Sequence, residues 1–240
     1  MRSYSGLRMK RFEGAQFSRK FDSGGASYSE AAHVSCVFDN CGLSLCKRPE
    51  KMSKVKRISV QGCYSVNSSV GPCEFEDIFI HDLKTNPILL IWSSFFRRVT
   101  LSGKIGKMNI NAEPWGFCTD IDVLSRFSNA RAEFYGATDW AIDISQARFL
   151  DFNCRGVPFD LIRRDPETQV IFCKDEFPGL DAMDEGFNER FPEVYSYLKS
   201  FSKSGDEEVL LVVPLAAPKS RKDDWKGGIA ELRALGFIKD

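Results

Sequence analysis

Histidine is scarce in this chain of 240 residues, which contains only His33 and His81. Catalytic sites built on a Ser or Cys nucleophile use a neighbouring histidine as their base, and zinc sites draw on histidine or on closely spaced cysteine pairs. The shortage therefore argues against a hydrolytic triad and against a catalytic metal. We expect both histidines to lie at the surface.

The chain also lacks an excess of charge of either sign. Its 33 basic and 33 acidic residues give a formal net charge of zero, so no overall field attracts nucleic acid or a membrane surface. No apolar run reaches the roughly 18 residues of a membrane-spanning helix, and the basic N-terminal segment has no apolar secretory core. We therefore expect a cytoplasmic protein with no membrane association, and we do not expect nucleic acid as a partner.

Motifs for cofactor chemistry are missing as well. The segment GKIGK at 103–107 has neither the spacing of a phosphate-binding loop nor that of a dinucleotide fingerprint. No nucleophile elbow is present. From the sequence we predict no cofactor, no metal and no catalytic residue, and hence no enzymatic activity.

The eight cysteines do not form the pairs that a metal site or a disulfide framework would use. Cys36, Cys41 and Cys46 are five residues apart, whereas metal-binding pairs are separated by two to four. A disulfide framework would also need an oxidising compartment. Because free cysteine packs as a small apolar side chain, we expect buried, reduced thiols, with Cys118 and Cys173 as the better candidates for reactivity.

What the chain has in abundance is an apolar pattern with a period of five residues. Residues 132–161 divide into AEFYG, ATDWA, IDISQ, ARFLD, FNCRG and VPFDL, and residues 58–82 form a second such tract. In the first tract the first and third positions are apolar except for Asp139. Residues two apart in an extended chain point to the same face, and the polar fourth and fifth positions favour a turn. The pattern predicts a coil of short extended segments.

This pattern resembles the repeat of the pentapeptide-repeat proteins, which is Ala, then Asp or Asn, then Leu or Phe, then two polar residues. ARFLD and AEFYG match it, whereas FNCRG places bulky Phe152 at the small position. The resemblance implies a right-handed, four-sided, single-stranded β-helix with coils stacked at about 4.8 Å. We predict a mainly β fold, with this solenoid over residues 1–172 and a small α+β appendage over 173–240.

Other segments depart from the pattern. Residues 47–57 form a basic run, and residues 113–128 are predicted to be an insertion that leaves the coil. The elements predicted in the appendage are strands over 168–173 and 209–213 and helices over 192–201 and 224–237, the last with Gly236 as its C-cap.

Two functions of different kinds fit this sequence. The first is a non-enzymatic protein-binding or scaffold module, and a homodimer is one of the oligomeric states that the sequence allows for it. The family resemblance implies a toxin-neutralising role or the protection of type II topoisomerases by mimicry of DNA, although mimicry calls for an acidic rod. The candidate binding residues are Lys47, Arg48, Lys51, Lys54, Lys56, Arg57, Arg97, Arg98, Trp92 and Trp115.

The alternative function is that of a β-helical carbohydrate-active enzyme. Asp139 and Asp143 are four residues apart, close to the length of one five-residue unit. Glycoside hydrolysis commonly uses a pair of carboxylates. Asp139 occupies an inward position, where an unpaired acid costs free energy, so we expect Arg131 or Arg163 to pair with it. A structural ion pair is the interpretation that the sequence favours at this position.

Overall fold

The computed structural model of the chain describes residues 9–116, 118–177, 179–180, 183 and 186–239. Most of the basic N-terminal segment, residues 1–8, lies outside this range. Within it, the chain forms a large parallel sheet, a small antiparallel sheet and four α-helices. No helix among the described residues has both the length and the apolar character needed to cross a membrane.

The large sheet has 13 strands, and all their pairings are parallel. The strands are β1 (Lys10–Glu13), β2 (Gln16–Ser18), β3 (Ser27–Val34), β4 (Val37–Asp39), β5 (Gly42–Leu43), β6 (Ser53–Gln61), β7 (Tyr64–Val66), β8 (Ser69–Val70), β9 (Cys73–Asn86), β10 (Leu89–Trp92), β11 (Phe95–Asn111), β12 (Ile142–Cys154) and β13 (Ile162–Arg163). Its main path of eight strands runs β1-β3-β6-β9-β11-β10-β8-β5 and curls into a half-barrel.

The predicted right-handed, single-stranded β-helix solenoid is wrong. The structure has one curled parallel sheet with four helices, and strands β9 and β11 continue for 14 and 17 residues. The five-residue spacing has another meaning, because residues with positive φ recur at this interval, as at Arg57, Gly62 and Asn67 and again at Asp77 and Asp82. A positive φ bends an extended chain. The period therefore marks the bends that curl the sheet.

The apolar positions of the pattern in β12 are buried in the core of the large sheet. Ile142, Ile144, Ala147 and Phe149 are each at most 3% exposed. In the parallel register, Phe149 lies beside Ile105 of β11, which is also buried. Burying a side chain of this size contributes about 1.5–3 kcal/mol, so these positions hold the sheet together.

The segment 132–136 does not continue the repeat but ends helix α1 (Ile121–Gly136). The Asp120 carboxylate accepts a hydrogen bond from the backbone N–H of Val123 at 3.1 Å and so caps the first turn. Val123 and Phe127, four residues apart, are both buried against the large sheet. The insertion predicted at 113–128 does leave the sheet, and it is longer than predicted because the helix continues to Gly136.

The C-terminal part carries the small antiparallel sheet, in the order β15-β14-β16. Its elements are β14 (Gln169–Cys173), α2 (Phe187–Arg190), α3 (Pro192–Ser202), β15 (Glu208–Val212), α4 (Lys219–Ala234) and β16 (Ile238–Lys239). The predicted strands and the helix at 192–201 are confirmed to within one residue at each end. Helix α4 begins five residues before the predicted start, and Gly236 follows it with a φ of 78°, as expected of a C-capping glycine.

Backbone and amide hydrogen bonds attach the C-terminal part to the large sheet. The N–H of Ala216 donates to the carbonyl of Phe149 at 2.9 Å. The side chain of Gln169, which is 1% exposed, donates to the carbonyl of Ile144 at 2.9 Å. Both acceptors belong to β12, so this strand is the seam between the two sheets.

Candidate functional site

Several of the candidate basic residues are paired with acids on the neighbouring strand. The Nζ atom of Lys54 lies 3.4 Å from the carboxylate of Glu74, and that of Lys56 lies 2.6 Å from Glu76. The parallel register of β6 and β9 places these residues directly opposite each other. The hydrogen bond from Lys56 lowers the pKa of the Glu76 carboxyl, so this pair is charged at neutral pH.

Arg57 and Arg98 are neutralised in the same way. Arg57 donates to Glu30 at 2.6 Å. Arg98 donates to Asp77 at 2.6 Å and to Glu76 at 2.9 Å, and the hydrogen bond to Asp77 raises the pKa of Arg98. The charges of these two arginines, like those of Lys54 and Lys56, are therefore balanced within the sheet.

Three other candidate basic residues lie together without such partners. Lys47, Arg48 and Lys51 are exposed in the loop between β5 and β6, and no acid pairs with them among the residues that the structure describes. Two apolar side chains precede them, Phe21 at 62% exposure and Leu45 at 47% exposure. We call Phe21, Leu45, Lys47, Arg48 and Lys51 the loop face.

The two apolar members of the loop face are neighbours in space as well. A Cβ atom at Gly42 would lie 2.9 Å from Cδ1 of Leu45 and 3.0 Å from Cδ1 of Phe21, so both side chains cover this glycine. Trp115 lies at the side of the loop face, where the Nζ atom of Lys47 is 5.7 Å from its ring centroid. The loop face therefore combines three basic residues with two neighbouring exposed apolar side chains, and Glu50 is the exposed acid of the same loop.

A buried polar network holds the loop in place. The carboxylate of Asp22 accepts hydrogen bonds from the N–H of Gly24 at 2.9 Å, from the N–H of Ser44 at 3.3 Å and from the hydroxyl of Ser53. The Ser44 hydroxyl accepts from the N–H of Ser53 at 2.9 Å and donates to the carbonyl of Pro72. Because these groups are satisfied, the loop is tied to the sheet at both ends.

The other side of the loop packs on helix α1. Cys46 and Met52, which flank the basic residues, are at most 7% exposed and belong to one cluster with Val123 and Phe127 of α1. A loop anchored in this way keeps its conformation, so presenting its exposed residues to a partner costs little ordering entropy.

The remaining candidate residues, Trp92 and Arg97, serve packing near α1. The Arg97 guanidinium lies 4.7 Å from the ring centroid of Phe134, and its Nε–H donates to the hydroxyl of Thr138 at 3.4 Å. A Cβ atom at Gly116 would come within 3.4 Å of the ring of Trp92, so Trp92 supports the backbone that carries Trp115.

The prediction that both histidines lie at the surface is wrong for His33. Its ring stacks on Phe12 with centroids 5.0 Å apart and meets Phe17 and Phe38 edge-on. Its Nδ1 atom is buried without a hydrogen-bond partner among the described residues, and burial lowers the pKa of His33. The strand β3 places this residue in an aromatic stack, so it is a neutral packing residue.

His81 lies beside a serine and an aspartate in a way that the sheet register explains. Its Nδ1 atom is 3.0 Å from the Ser102 hydroxyl, and its Nε2 atom is 3.2 Å from the Asp82 carboxylate. Ser102 is the residue opposite His81 in the parallel pairing of β9 and β11. The ring is open to solvent at 38% exposure and lines neither of the two cavities described below. The contact between His81 and Ser102 is therefore a cross-strand contact set by the sheet register.

The carboxylates of the alternative enzyme function have structural partners. Asp139 is exposed, so the inward position predicted for it is wrong. It pairs with Arg98 at 3.6 Å and not with Arg131, while the charge of Arg163, the other predicted partner, also acts on its carboxyl. Desolvation opposes the ionisation of Asp139, but backbone hydrogen bonds and the charges of Arg98 and Arg163 outweigh it and lower the pKa of this carboxyl. A general acid needs a raised pKa. Asp143 accepts hydrogen bonds from the N–H and the hydroxyl of Ser145.

Arg131 lines a cavity of 570 Å³ between α1 and residues 156–161. Its Nη2 atom donates to the Ser93 hydroxyl at 2.9 Å and to the carbonyl of Ala112. Burial lowers the pKa of Arg131. The side chain thus joins the start of the insertion to the sheet.

A second cavity, of 440 Å³, lies between the large sheet and helices α3 and α4, and the sequence analysis missed it. Asn153 of β12, Tyr197 of α3 and Trp225 of α4 meet there although they are tens of residues apart in the chain. The only signal in the sequence is the four-residue spacing of Glu193 and Tyr197, which places both on one face of a helix.

All eight cysteines are free thiols. The expected burial is confirmed for Cys36, Cys46, Cys63, Cys73 and Cys154, whereas Cys41 is only partly buried. Burial raises the pKa of Cys154 to about 12, which keeps this thiol protonated and unreactive. Within the described part of the chain, no group of three or more His, Cys, Asp or Glu side chains is placed to hold a metal ion.

Comparison of the chain with models of known protein families and with curated proteins gives no significant match. The resemblance to the pentapeptide-repeat proteins therefore stays a prediction from segments such as ARFLD.

Proposed function

We propose that this protein is a non-enzymatic binding module that receives an acidic segment of a partner protein on its loop face. The supporting observation is the contrast between two sets of basic residues. Lys54 and Lys56 meet carboxylates on the adjacent strand, whereas Lys47, Arg48 and Lys51 have no acid as partner within the described ranges. Unpaired cations around exposed apolar side chains provide both attraction and buried contact area for a partner.

The chemistry of the loop face defines the partner that it suits. Lys47, Arg48 and Lys51 favour carboxylates, and Phe21 and Leu45 favour an apolar side chain between them. A basic surface does not imitate DNA, so the protection of a type II topoisomerase by mimicry is the less supported of the two roles that the family resemblance implies. An acidic target protein, such as a neutralised toxin, is the better supported one.

A cytoplasmic location belongs to the same proposal. Its support is the presence of eight free thiols, of which five are buried. Disulfides form in oxidising compartments and are rare where thiols are kept reduced. A chain rich in unpaired cysteines suits a reducing environment.

Reversing the charge of the loop face tests the proposal. The variant Lys47→Glu/Arg48→Glu/Lys51→Glu, tagged and expressed in the natural host, is expected to recover a specific partner at least about tenfold less than the wild-type protein, because like charges then face the partner's acids. The measurement is quantitative mass spectrometry of proteins that co-purify with each form.

A matched control carries the same change of charge elsewhere. Lys84, Lys104 and Lys107 are exposed on β9 and β11. Changing these three to Glu is expected to leave recovery of the partner within about twofold, since charges outside the contact are largely screened at physiological ionic strength. The proposed face would be contradicted if both variants lost partner recovery equally, or if the variant of Lys47, Arg48 and Lys51 recovered the partner as well as the wild type.

A further inference from the structure

The cavity between the large sheet and the C-terminal helices has the dimensions of a small-molecule site. Its volume of 440 Å³ falls within the range of about 300–1,000 Å³ that is typical of ligand pockets. Strands β11 and β12, with Ile88 just before β10, form one side, and helices α3 and α4 form the other. Sites at the junction of two structural layers are common among binding proteins.

Amide side chains form the floor of this cavity. Asn109 of β11 and Asn153 of β12 are direct partners in the parallel register, so their side chains lie side by side on the same face of the sheet. Asp151, two residues before Asn153, points to that face as well. The floor therefore offers hydrogen-bond donors and acceptors in a row.

One atom of this floor lacks a partner. The Nδ2 atom of Asn153 donates to the Tyr197 hydroxyl at 3.4 Å, but its Oδ1 atom is buried without a hydrogen bond to any described residue. Turning the amide around would leave the nitrogen unpaired instead. A buried polar group without a partner destabilises the protein, and a group bound in the cavity would satisfy it.

An ion network lines the wall. Arg221 donates to Glu193 at 2.6 Å and to Asp151 at 3.3 Å, and the Trp225 indole donates to Glu193 at 3.2 Å. Two carboxylates against one guanidinium leave a net negative charge at the cavity. Burial raises the pKa of Tyr197 to about 12, so its hydroxyl stays neutral. The wall therefore disfavours an anion, and the Tyr197 hydroxyl adds an uncharged hydrogen-bonding group to it.

The cavity also has apolar surface. The rings of Tyr197 and Trp225 meet edge to face with centroids 5.5 Å apart, and Ile88 and Met108 line the opposite side. Hydroxyl-rich ring molecules present C–H faces to aromatic and aliphatic side chains and hydroxyl edges to amides and carboxylates. The combination of walls and floor fits such a molecule.

We propose that this cavity binds a neutral, hydroxyl-rich small molecule of the size of a monosaccharide or cyclic polyol. Asn153 and Asn109 hydrogen-bond its hydroxyls from the floor, and Tyr197 and Trp225 contact its ring. The site is separate from the loop face, and its occupation does not depend on the protein-binding function.

Ligand-observed saturation-transfer NMR tests this site with glucose, galactose, mannose and myo-inositol, and with glucuronate as the anionic counterpart. At least one neutral probe is expected to receive saturation from the wild-type protein, and glucuronate is expected to receive less than glucose. The variant Asn153→Leu is expected to abolish the transfer.

A second pair of variants separates blocking from misfolding. Ser196 lines the cavity from an exposed position of α3, so Ser196→Trp is expected to fill the cavity and remove the transfer while the circular dichroism spectrum stays unchanged. Lys199 is exposed on the same helix outside the cavity lining, and Lys199→Trp is expected to bind like the wild type. The proposal is overturned if no neutral probe binds the wild type, or if binding persists in both Asn153→Leu and Ser196→Trp.

Discussion

Replacing Phe149 by Ala is expected to lower the free energy of unfolding by about 3–5 kcal/mol, the range for deleting a fully buried aromatic ring. Phe149 is 0% exposed, and its ring stacks on that of Phe152 with centroids 4.3 Å apart. It lies on β12, which joins the two sheets through the hydrogen bond from Ala216. The substitution therefore leaves a cavity at the seam of the molecule, where little surrounding structure is free to collapse into it.

Chemical denaturation followed by fluorescence measures this loss. The control is Phe79→Ala, which removes the same ring from a position that is 46% exposed and stacks on His81 at 6.3 Å. We expect the control to lose less than about 1 kcal/mol. Similar losses for the two variants would mean that Phe149 does not belong to the core of the sheet.

The substitution Gly71→Ala is expected to destabilise the protein by about 3 kcal/mol, at the upper end of the usual cost of overpacking. A Cβ atom at Gly71 would lie 2.1 Å from the carbonyl oxygen of Ser44 and 3.2 Å from the Cα atom of Leu45. These are backbone atoms, which cannot rotate away as the end of a side chain can. The Gly71 N–H also donates to the carbonyl of Leu43 at 2.7 Å, so the two segments are held in close contact.

Gly136→Ala is the matched control for this prediction. Nothing lies within 4 Å of a Cβ atom at Gly136, which is the last residue of α1. Because alanine is the better helix former, this change is expected to be neutral or to stabilise by up to about 1 kcal/mol. Thermal unfolding of both variants measures the difference. A Gly71→Ala protein as stable as the wild type would contradict the close approach of the two segments.

The parts of the fold that follow from local patterns were predictable from the sequence. The apolar first and third positions of each five in 142–154 predict extended segments with one buried face, and Phe149 lies in the core. Pro192 at the first turn of α3 and Gly236 after α4 predict where those helices start and stop. These signals depend only on residues a few positions apart.

The shape of the large sheet was not predictable in the same way. A five-residue period predicts regular bends, as at Arg57, Gly62 and Asn67, but it does not specify how the strands between the bends join. The segment AEFYG also matches a helix, because Tyr135 falls eight residues after Phe127 and both are buried on one face of α1. A pattern shared by two structures cannot distinguish between them.

The candidate site depended on contacts between distant strands. Lys54, Lys56 and Lys51 look alike in the sequence, yet the first two meet carboxylates about twenty residues away because of the register of β6 and β9. Asn153 and Tyr197 are 44 residues apart and meet only when α3 packs on the sheet. Such partners are set by tertiary structure, so composition and spacing do not reveal them.

Amine-reactive cross-linking in cells, followed by mass spectrometry, tests the proposed binding face most directly. After correction for the reactivity of each lysine in the isolated protein, cross-links to one partner protein are predicted to concentrate at Lys47 and Lys51. Cross-links found as often or more often at Lys84, Lys104 and Lys107 would show that the partner binds the sheet instead, and the loop face would then have no role in recognition.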